Sequence, residues 1–376
     1  MSEKKSLDSI QILRGIAALA VVVHHACLMV SENGSRTGWL NRLGYFPDLG
    51  AAGVDIFFVI SGFIMVYVSR EAFGRPRAEW QFWQKRIVRI VPLYWFYTTL
   101  MLLLVLSPFA MKHAVFSPGY AIKSYLFIPA FIPGSGFTLP QPLLATGWTL
   151  CYEMFFYFIF GLWLRWGKLM TLVPFILCAF LLSMAGSRLL GSGSAIGVFL
   201  GQPMMFEFLY GVIVGVIFVK VGPPARLVAR ACLTLAAICF AVSIFARAEL
   251  AWRWLFWGLP SGLLIYGAVG LTIGKGLVAR AWARLGDASY TLYLMHVFVT
   301  LTLGGILRRG IVLPRVPSDL LIGATVVLCV FLSWFAYLYL ELPLGRWLSG
   351  RAGTSRRAAP ETCLAGTKAA EPGVAA

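Results

Sequence analysis

Long runs of apolar residues, separated by short polar and basic segments, extend from the beginning of the chain to about residue 341. Ten of these runs are long enough, at 1.5 Å per residue, to cross a hydrocarbon core about 30 Å thick as helices. They lie near residues 10–30, 51–69, 88–107, 146–164, 169–186, 203–219, 230–246, 254–273, 285–307 and 319–341. The pattern therefore predicts an all-α integral membrane protein, a polytopic bundle of about ten transmembrane helices.

The segments between the runs differ in charge, and this difference predicts an orientation. With the N-terminus inside, the inner segments hold about twice as many Lys and Arg residues as the outer ones, so the positive-inside rule predicts that both termini are cytoplasmic. Residues 1–348 form the predicted transmembrane domain. Residues 349–376, rich in Ala, Gly and Thr, are predicted to be a disordered cytoplasmic tail.

Composition supports the membrane assignment and narrows the class of partner. The chain is 59% hydrophobic and only 12% charged, whereas soluble domains carry about 25% charged residues. Its formal net charge of +17 comes from Lys and Arg between the apolar runs, which is typical of loop charges and not of a nucleic-acid surface. The seven Cys residues show no metal-ligand spacing, so we expect membrane lipid as a partner, no nucleic acid and no metal.

Ionisable residues inside spans are candidate functional residues, because burying them in lipid is costly. Arg14 and His25 are eleven residues apart in the first run, or about three helical turns and 16 Å, and so share one stripe of the helix. His24 is turned about 100° from that stripe. From their distances to the ends of their runs, Asp55 and Glu153 are expected at the depth of His25. A carboxylate bonded to one ring nitrogen would orient the histidine as a base.

A second predicted cluster lies at the inner face. Arg86 and Arg89 are three residues apart where the third run begins, and Arg14 is expected at a similar depth. Guanidinium groups bind phosphate through two parallel hydrogen bonds. Three of them at a water-accessible rim therefore indicate a phosphate-bearing ligand.

Each of these candidates has an ordinary structural alternative. Arg86 and Arg89 also fit topology anchors, and His25 fits a core histidine bonded to a backbone carbonyl. His296 suits a core position as well as a site position. Trp148 belongs to an aromatic series that is more typical of packing than of a sugar platform.

Six sequence segments, in their order along residues 8–347, resemble motifs of the acyltransferase-3 family of membrane acyltransferases. They are residues 13–25 with Arg14 and His25, residues 53–63 around Asp55, residues 86–94 with Arg86 and Arg89, residues 148–153 with Trp148 and Glu153, residues 285–296 with Tyr290, Tyr293 and His296, and residues 341–343. Any one of these matches is weak, whereas the ordered set is specific.

The resemblance implies an acyl-CoA donor, most commonly acetyl-CoA, that is loaded from the cytoplasm. It also implies an O-acylated acceptor, either an exopolysaccharide or lipopolysaccharide glycan or a lipid-linked saccharide, at the outer face of the bacterial inner membrane. His25 would be catalytic together with Asp55 and Glu153, and the arginines would bind the donor. Trp148, Tyr290, Tyr293 and His296 would line the site.

Two functions from other classes stay open at this point. A secondary transporter or exporter of a glycan precursor would also have about ten spans and buried charges, although the sequence shows no internal repeat of the kind such transporters have. A structural subunit of a polysaccharide assembly machine would tolerate replacement of His25.

Overall fold

The computed structural model describes residues 3–33, 47–107, 115–246, 252–274, 276–309 and 316–351, and within these ranges the chain is helical with no β-strand. The α-helices, numbered in chain order, are α1 Glu3–Asn33, α2 Ala52–Ser69, α3 Ala78–Leu106, α4 Pro118–Tyr125, α5 Gly147–Trp166, α6 Leu172–Leu190, α7 Ala195–Leu200, α8 Met205–Val221, α9 Arg226–Ala246, α10 Leu259–Val269, α11 Leu277–Asp287, α12 Ser289–Arg308, α13 Ser318–Ala336 and α14 Leu342–Arg351. Two π-helical turns, Trp254–Gly258 and Tyr337–Glu341, lead into α10 and α14.

The predicted polytopic membrane bundle is confirmed. Nine helical stretches in the described part of the chain are long and apolar enough to cross a membrane, and they match nine of the ten predicted runs. The remaining run, predicted at residues 254–273, is a shorter apolar helix, Trp254–Val269. Pro260 is the second residue of its α-helical part, Leu259–Val269, which directly follows the π-helical turn.

The direction of α12 shows that this shorter helix counts as a crossing. α1 packs against α11 and α12, with Gly15 beside Gly286 and His25 beside His296. Both pairs are separated by 271 residues, so α1 runs parallel to α11 and α12 in one register. Among the described residues, seven long apolar helices precede Trp254–Val269. If each of them crosses the membrane, α12 has the direction of the first span only when Trp254–Val269 also crosses and reverses the chain. α12 is then the ninth crossing.

Small residues allow helices to approach closely where the polar residues are held. At the crossing of α2 and α8, a Cβ added to Gly62 would lie 2.1 Å from the Phe208 carbonyl oxygen, and one added to Gly211 would lie 2.0 Å from the Val59 carbonyl oxygen. Only glycine fits at both positions, which is typical of close helix contacts in membranes. This contact fixes the separation of the two helices that carry Asp55 and, on α8, a buried glutamate.

Two boundaries differ from the prediction. α3 begins at Ala78, ten residues before the predicted run, so Arg86 and Arg89 lie inside a regular helix. Charged residues ended the apolar run in the sequence, but Lys and Arg are good helix formers and do not end the helix. At the C-terminus, α14 continues to Arg351. The predicted disorder of the tail beyond it, residues 352–376, lies outside the described residues.

Candidate active site

Arg14 and Arg89 lie close to one carboxylate at the end of the bundle that carries the N-terminus. Glu341 interacts electrostatically with both arginines and accepts a hydrogen bond from the Thr291 hydroxyl of α12. Glu341 ends the π-helical turn before Pro343, because a proline ring cannot fit a regular helix without disturbing the preceding turn. Part of the predicted arginine cluster is therefore formed, with a carboxylate beside it.

Arg86 lies one turn earlier on α3, beside a second polar group. It interacts electrostatically with Tyr157, whose hydroxyl donates to Glu153. The Ser61 hydroxyl donates to the same carboxylate oxygen at 3.0 Å. Hydroxyl donors from α2 and α5 thus satisfy Glu153, and Arg86 adds a positive charge at this point.

Further along α1, His25 forms a pair with His296 of α12. The ring centroids of His25 and His296 are 4.9 Å apart, and their planes are tilted by 60°. Each Nδ1 faces a carbonyl oxygen of its own helix, that of Val21 at 2.9 Å and that of Leu292 at 3.2 Å. A carbonyl oxygen can only accept a hydrogen bond, so in the neutral rings Nδ1 carries the hydrogen and Nε2 carries the lone pair.

The two histidines adjacent in sequence have different surroundings, as the stripe argument predicts. His25 is half-buried and faces His296 on α12. A Cβ added to Gly50 would lie 2.9 Å from the Cβ of His24, so His24 lies against the turn that precedes α2.

The residues that the structure describes contain no group of three or more His, Cys, Asp or Glu side chains arranged to hold a metal ion.

One face of α12 connects the arginines with the histidines. The Tyr290 hydroxyl donates to the Ile90 carbonyl oxygen, next to Arg89, at 2.8 Å. The Tyr293 hydroxyl lies 2.9 Å from the Thr149 hydroxyl of α5, and its ring centroid is 5.9 Å from that of His296. From residue 290 to residue 296 the helix rises about 9 Å. The predicted residues Tyr290, Tyr293 and His296 thus form a row of polar side chains on α12 between the two clusters.

The structure does not bring Asp55 to His25. Gly50 lies against the Ala20 carbonyl oxygen and Gly53 against that of Ala17, so α2 runs antiparallel to α1 and Asp55 is level with about residue 15. This is roughly 15 Å along the axis from His25. The sequence-based prediction counted the depth of Asp55 from the end of its apolar run. The level of Asp55 relative to His25 depends instead on how α2 is positioned along α1.

Asp55 is instead half of a buried ion pair. Arg253, which precedes the first π-helical turn, donates from Nε and Nη2 to both carboxylate oxygens at 2.7–3.0 Å, and also to the Ala51 carbonyl oxygen at 2.7 Å. Both side chains are almost completely buried. The Arg253 guanidinium also lies over the Trp257 ring, 4.9 Å from its centroid, and the buried Glu207 of α8 interacts electrostatically with both members of the pair.

Glu153 and Trp148 are also away from the histidine pair. Within the described part of the chain, Glu153 has hydrogen bonds to Ser61 and Tyr157 and none to His25. Trp148 packs edge-on against Phe58 and Tyr152, as the packing alternative predicts. The backbone carbonyl of Val21, and not a carboxylate, fixes the tautomer of His25.

Sequence reasoning missed Arg253. It comes directly before an apolar run, so it was indistinguishable from a loop charge. The one available signal was Asp55 itself, because a carboxylate within a span needs a cationic partner. Thr291 was missed as well, and nothing in its sequence surroundings marks it as the partner of Glu341.

A cavity of about 510 Å³ lies away from these clusters, between the segment 117–133 and the start of α7. Its lining includes Tyr120, Lys123, Phe131 and Ser194. The Tyr94 hydroxyl of α3 donates to the Ser124 carbonyl oxygen at 2.8 Å, which attaches this segment to the bundle. The volume is within the range of small-molecule sites.

Comparison with known proteins gives matches over most of the chain. The sequence model of the acyltransferase-3 family, described as "Acyltransferase domain", matches residues 7–338. The exopolysaccharide production protein ExoZ of Rhizobium meliloti is 33% identical over 332 residues, covering 85% of this chain and 98% of its own. Acyltransferase MdmB of Streptomyces mycarofaciens is 25% identical over 321 residues, covering 78% of this chain and 79% of its own. No solved structure matches significantly.

Proposed function

The chain belongs to the acyltransferase-3 family and is a membrane-bound acyltransferase, and on this premise we propose that it transfers an acyl group, most simply acetyl, from cytoplasmic acyl-CoA to a hydroxyl of an exopolysaccharide or lipopolysaccharide glycan. The observation that carries the proposal is the row of polar side chains on α12 that extends from the arginines to the histidine pair. The name of the relative ExoZ, which refers to exopolysaccharide production, supports a glycan as acceptor.

The donor half of the proposal rests on the arginines. Arg14 and His25 lie on one unbroken helix, eleven residues or about 16 Å apart. This is close to the reach of an extended pantetheine arm, so coenzyme A phosphates at Arg14, Arg86 and Arg89 could present a thioester to His25. Glu341 partly neutralises two of these arginines, and a donor phosphate would compete with it for them.

In the acceptor half, the glycan approaches from the opposite side of the bacterial inner membrane. The cavity beside α4 is the proposed entry, because its aromatic and hydroxyl side chains suit a saccharide and Lys123 suits an acidic group on it. Its wall is linked to the histidine pair by side-chain contacts. Tyr94 contacts Ser124 on one side and packs against Gly147 on the other, and Tyr293 reaches the neighbouring Thr146 carbonyl oxygen.

The proposed function predicts a loss of acyl groups from a cell-surface polysaccharide. Deleting the gene should remove one class of O-acyl substituent, measured by NMR of the purified exopolysaccharide and lipopolysaccharide, and the wild-type gene should restore it. Complementation with a His25→Ala variant should not. If polysaccharide acylation is identical with and without the gene, a glycan acceptor is excluded.

The arginines predict a specific loss of donor affinity. Arg86→Ala and Arg89→Ala should each weaken coenzyme A binding by roughly ten- to a hundredfold, since one charge-assisted hydrogen bond contributes about 1.5–3 kcal/mol. Lys at either position should restore only part of this, because an ammonium lacks the bidentate fork. Calorimetric titration of the detergent-purified protein with coenzyme A measures the effect.

Lys85→Ala is the matched control for this experiment. Lys85 is an exposed cation on the same helix, next to Arg86 in sequence, and its removal should change affinity little. If the two arginine variants bind coenzyme A like the Lys85 variant, the arginines are topology anchors and the donor site lies elsewhere.

A further inference from the structure

His296 is a buried base whose second nitrogen has no hydrogen-bond partner. Its side chain is fully buried, and Nδ1 is satisfied by the Leu292 carbonyl oxygen. Nε2, which carries the lone pair in this tautomer, has no hydrogen-bond partner among the residues that the structure describes. Buried polar atoms in native proteins are nearly always paired, so an unpaired one needs an explanation.

A purely structural role does not account for this arrangement. A histidine with only a packing role would normally have hydrogen bonds at both ring nitrogens. Otherwise an apolar residue could replace it and would leave no buried polar atom without a hydrogen bond. Here His25 has the same tautomer by the same device, a hydrogen bond to the carbonyl four residues earlier. The common register of α1 and α12 brings the two rings to a centroid distance of 4.9 Å, so two lone-pair nitrogens belong to one site.

We propose that His296 is a second catalytic base, which takes the proton of the acceptor hydroxyl while His25 carries the acyl group. The inference rests on the proposed acyl transfer. A single histidine would have to be both nucleophile and base, which favours direct transfer in a ternary complex. Two histidines with free Nε2 atoms remove that difficulty and divide the roles between them.

The reaction has two steps, acylation of His25 and transfer of the acyl group to the acceptor. Nε2 of His25 attacks the thioester carbonyl carbon, the C–N bond forms, the C–S bond breaks, and coenzyme A leaves as a thiolate. The acceptor oxygen then attacks the acyl carbon while its proton moves to Nε2 of His296. The C–N bond breaks and returns the electron pair to His25. His296 finally gives its proton to the thiolate, so the products are the ester and free coenzyme A.

The charged and titratable groups around the pair are His24, 5.2 Å from His25 between ring centroids, and Tyr293, 5.9 Å from His296. Tyr293 donates to or accepts from Thr149 and interacts electrostatically with Arg253. His24 lies against the turn before α2, and the ring that contacts His296 is that of His25. His24 is therefore the matched control, as a histidine of the same helix outside the pair.

The test separates formation of the acyl-enzyme from its discharge. Purified protein is incubated with [¹⁴C-acetyl]-CoA, quenched rapidly at neutral pH and counted for bound label. It is then chased with the cell's own exopolysaccharide after mild alkaline deacetylation. Wild type and His24→Gln should label and discharge, whereas His25→Gln should not label. His296→Gln should label normally and discharge roughly 10²–10⁴-fold more slowly.

Several outcomes would overturn the inference. They are an unlabelled wild type that still transfers acetyl groups, a His296→Gln variant that discharges at the wild-type rate, or one that fails to label although it is folded. Thermal unfolding of each variant establishes folding, and imidazole in the buffer should speed discharge of a His296→Ala variant only if His296 is a base. If the wild type transfers no acetyl group to any polysaccharide, the proposed function itself fails.

Discussion

Replacing His25 by Ala should reduce acyl transfer by at least the 10²–10⁴-fold that is typical for loss of a general base, and should remove it entirely if His25 carries the acyl group. The protein should remain folded, because within the described residues the hydrogen bond of His25 is to a carbonyl of its own helix, that of Val21. Transfer of labelled acetyl groups from acetyl-CoA to deacetylated exopolysaccharide measures the effect, with thermal unfolding in detergent as the check on folding.

The neighbouring histidine provides the comparison. His24→Ala should retain most of the activity, because His24 lies against Gly50 and the turn before α2 and is not the histidine whose ring contacts His296. Equal losses in the two variants would mean that this part of α1 matters only for packing, and the assignment of His25 would have to be withdrawn.

Breaking the buried ion pair should have the largest effect on stability. Asp55→Ala or Arg253→Ala leaves one buried charge without its partner, which typically costs about 3–5 kcal/mol. The pair is bidentate and nearly inaccessible, so neither residue can recover its hydrogen bonds from water. We expect a strongly lowered apparent melting temperature and reduced yield from membranes, measured by fluorescence-detected size-exclusion chromatography after heating.

Two further variants test the cause of that loss. The double variant Asp55→Ala/Arg253→Ala should be less destabilised than the sum of the single variants, because neither member of the bidentate pair is left without the other, and Glu207 is present in all three variants. Glu79→Ala removes a pair with Arg165 of the same length, 2.7 Å, in which the arginine is half exposed. Exposed pairs contribute about 0–1 kcal/mol. A similar loss from Glu79→Ala and Asp55→Ala would contradict our reading of the buried pair.

The sequence was sufficient to predict the fold class because lipid imposes a simple rule on every span. Each crossing must satisfy its own backbone hydrogen bonds, so apolar run length maps directly onto helices. The exceptions have local causes. α3 extends ten residues before its apolar run because the basic segment 85–89 is also helical, and Trp254–Val269 ends four residues before its predicted run does, with Gly270 as the C-cap residue.

The candidate site was predictable only in part. Spacing within one helix identified the stripe that joins Arg14 to His25, since the rise per residue is fixed. Contacts between helices depend on relative register, which no single run contains. For this reason Asp55 and Glu153 were expected beside His25, whereas Arg253, Ser61 and Tyr157 are their actual partners.

The family match also decides between the function classes that composition left open. A transporter or a structural subunit would explain ten crossings and buried charges equally well, but the chain matches an acyltransferase family from residue 7 to residue 338. Under the proposed function, that activity is located at the histidine pair and the residues of α12 that lead to it.

The close contact of Gly62 and Gly211 where α2 crosses α8 determines which mutations this gene can tolerate. Gly62 and Gly211 each fill the space where the other's side chain would stand, with their Cα atoms about 3 Å from the added Cβ of the partner. A harmful Gly62→Ala mutation therefore has no reciprocal suppressor at position 211, since that residue cannot become smaller. The three atoms nearest to a Cβ at Gly62 all belong to the backbone of α8, so a side-chain substitution there cannot relieve the contact, and both codons should tolerate only synonymous change.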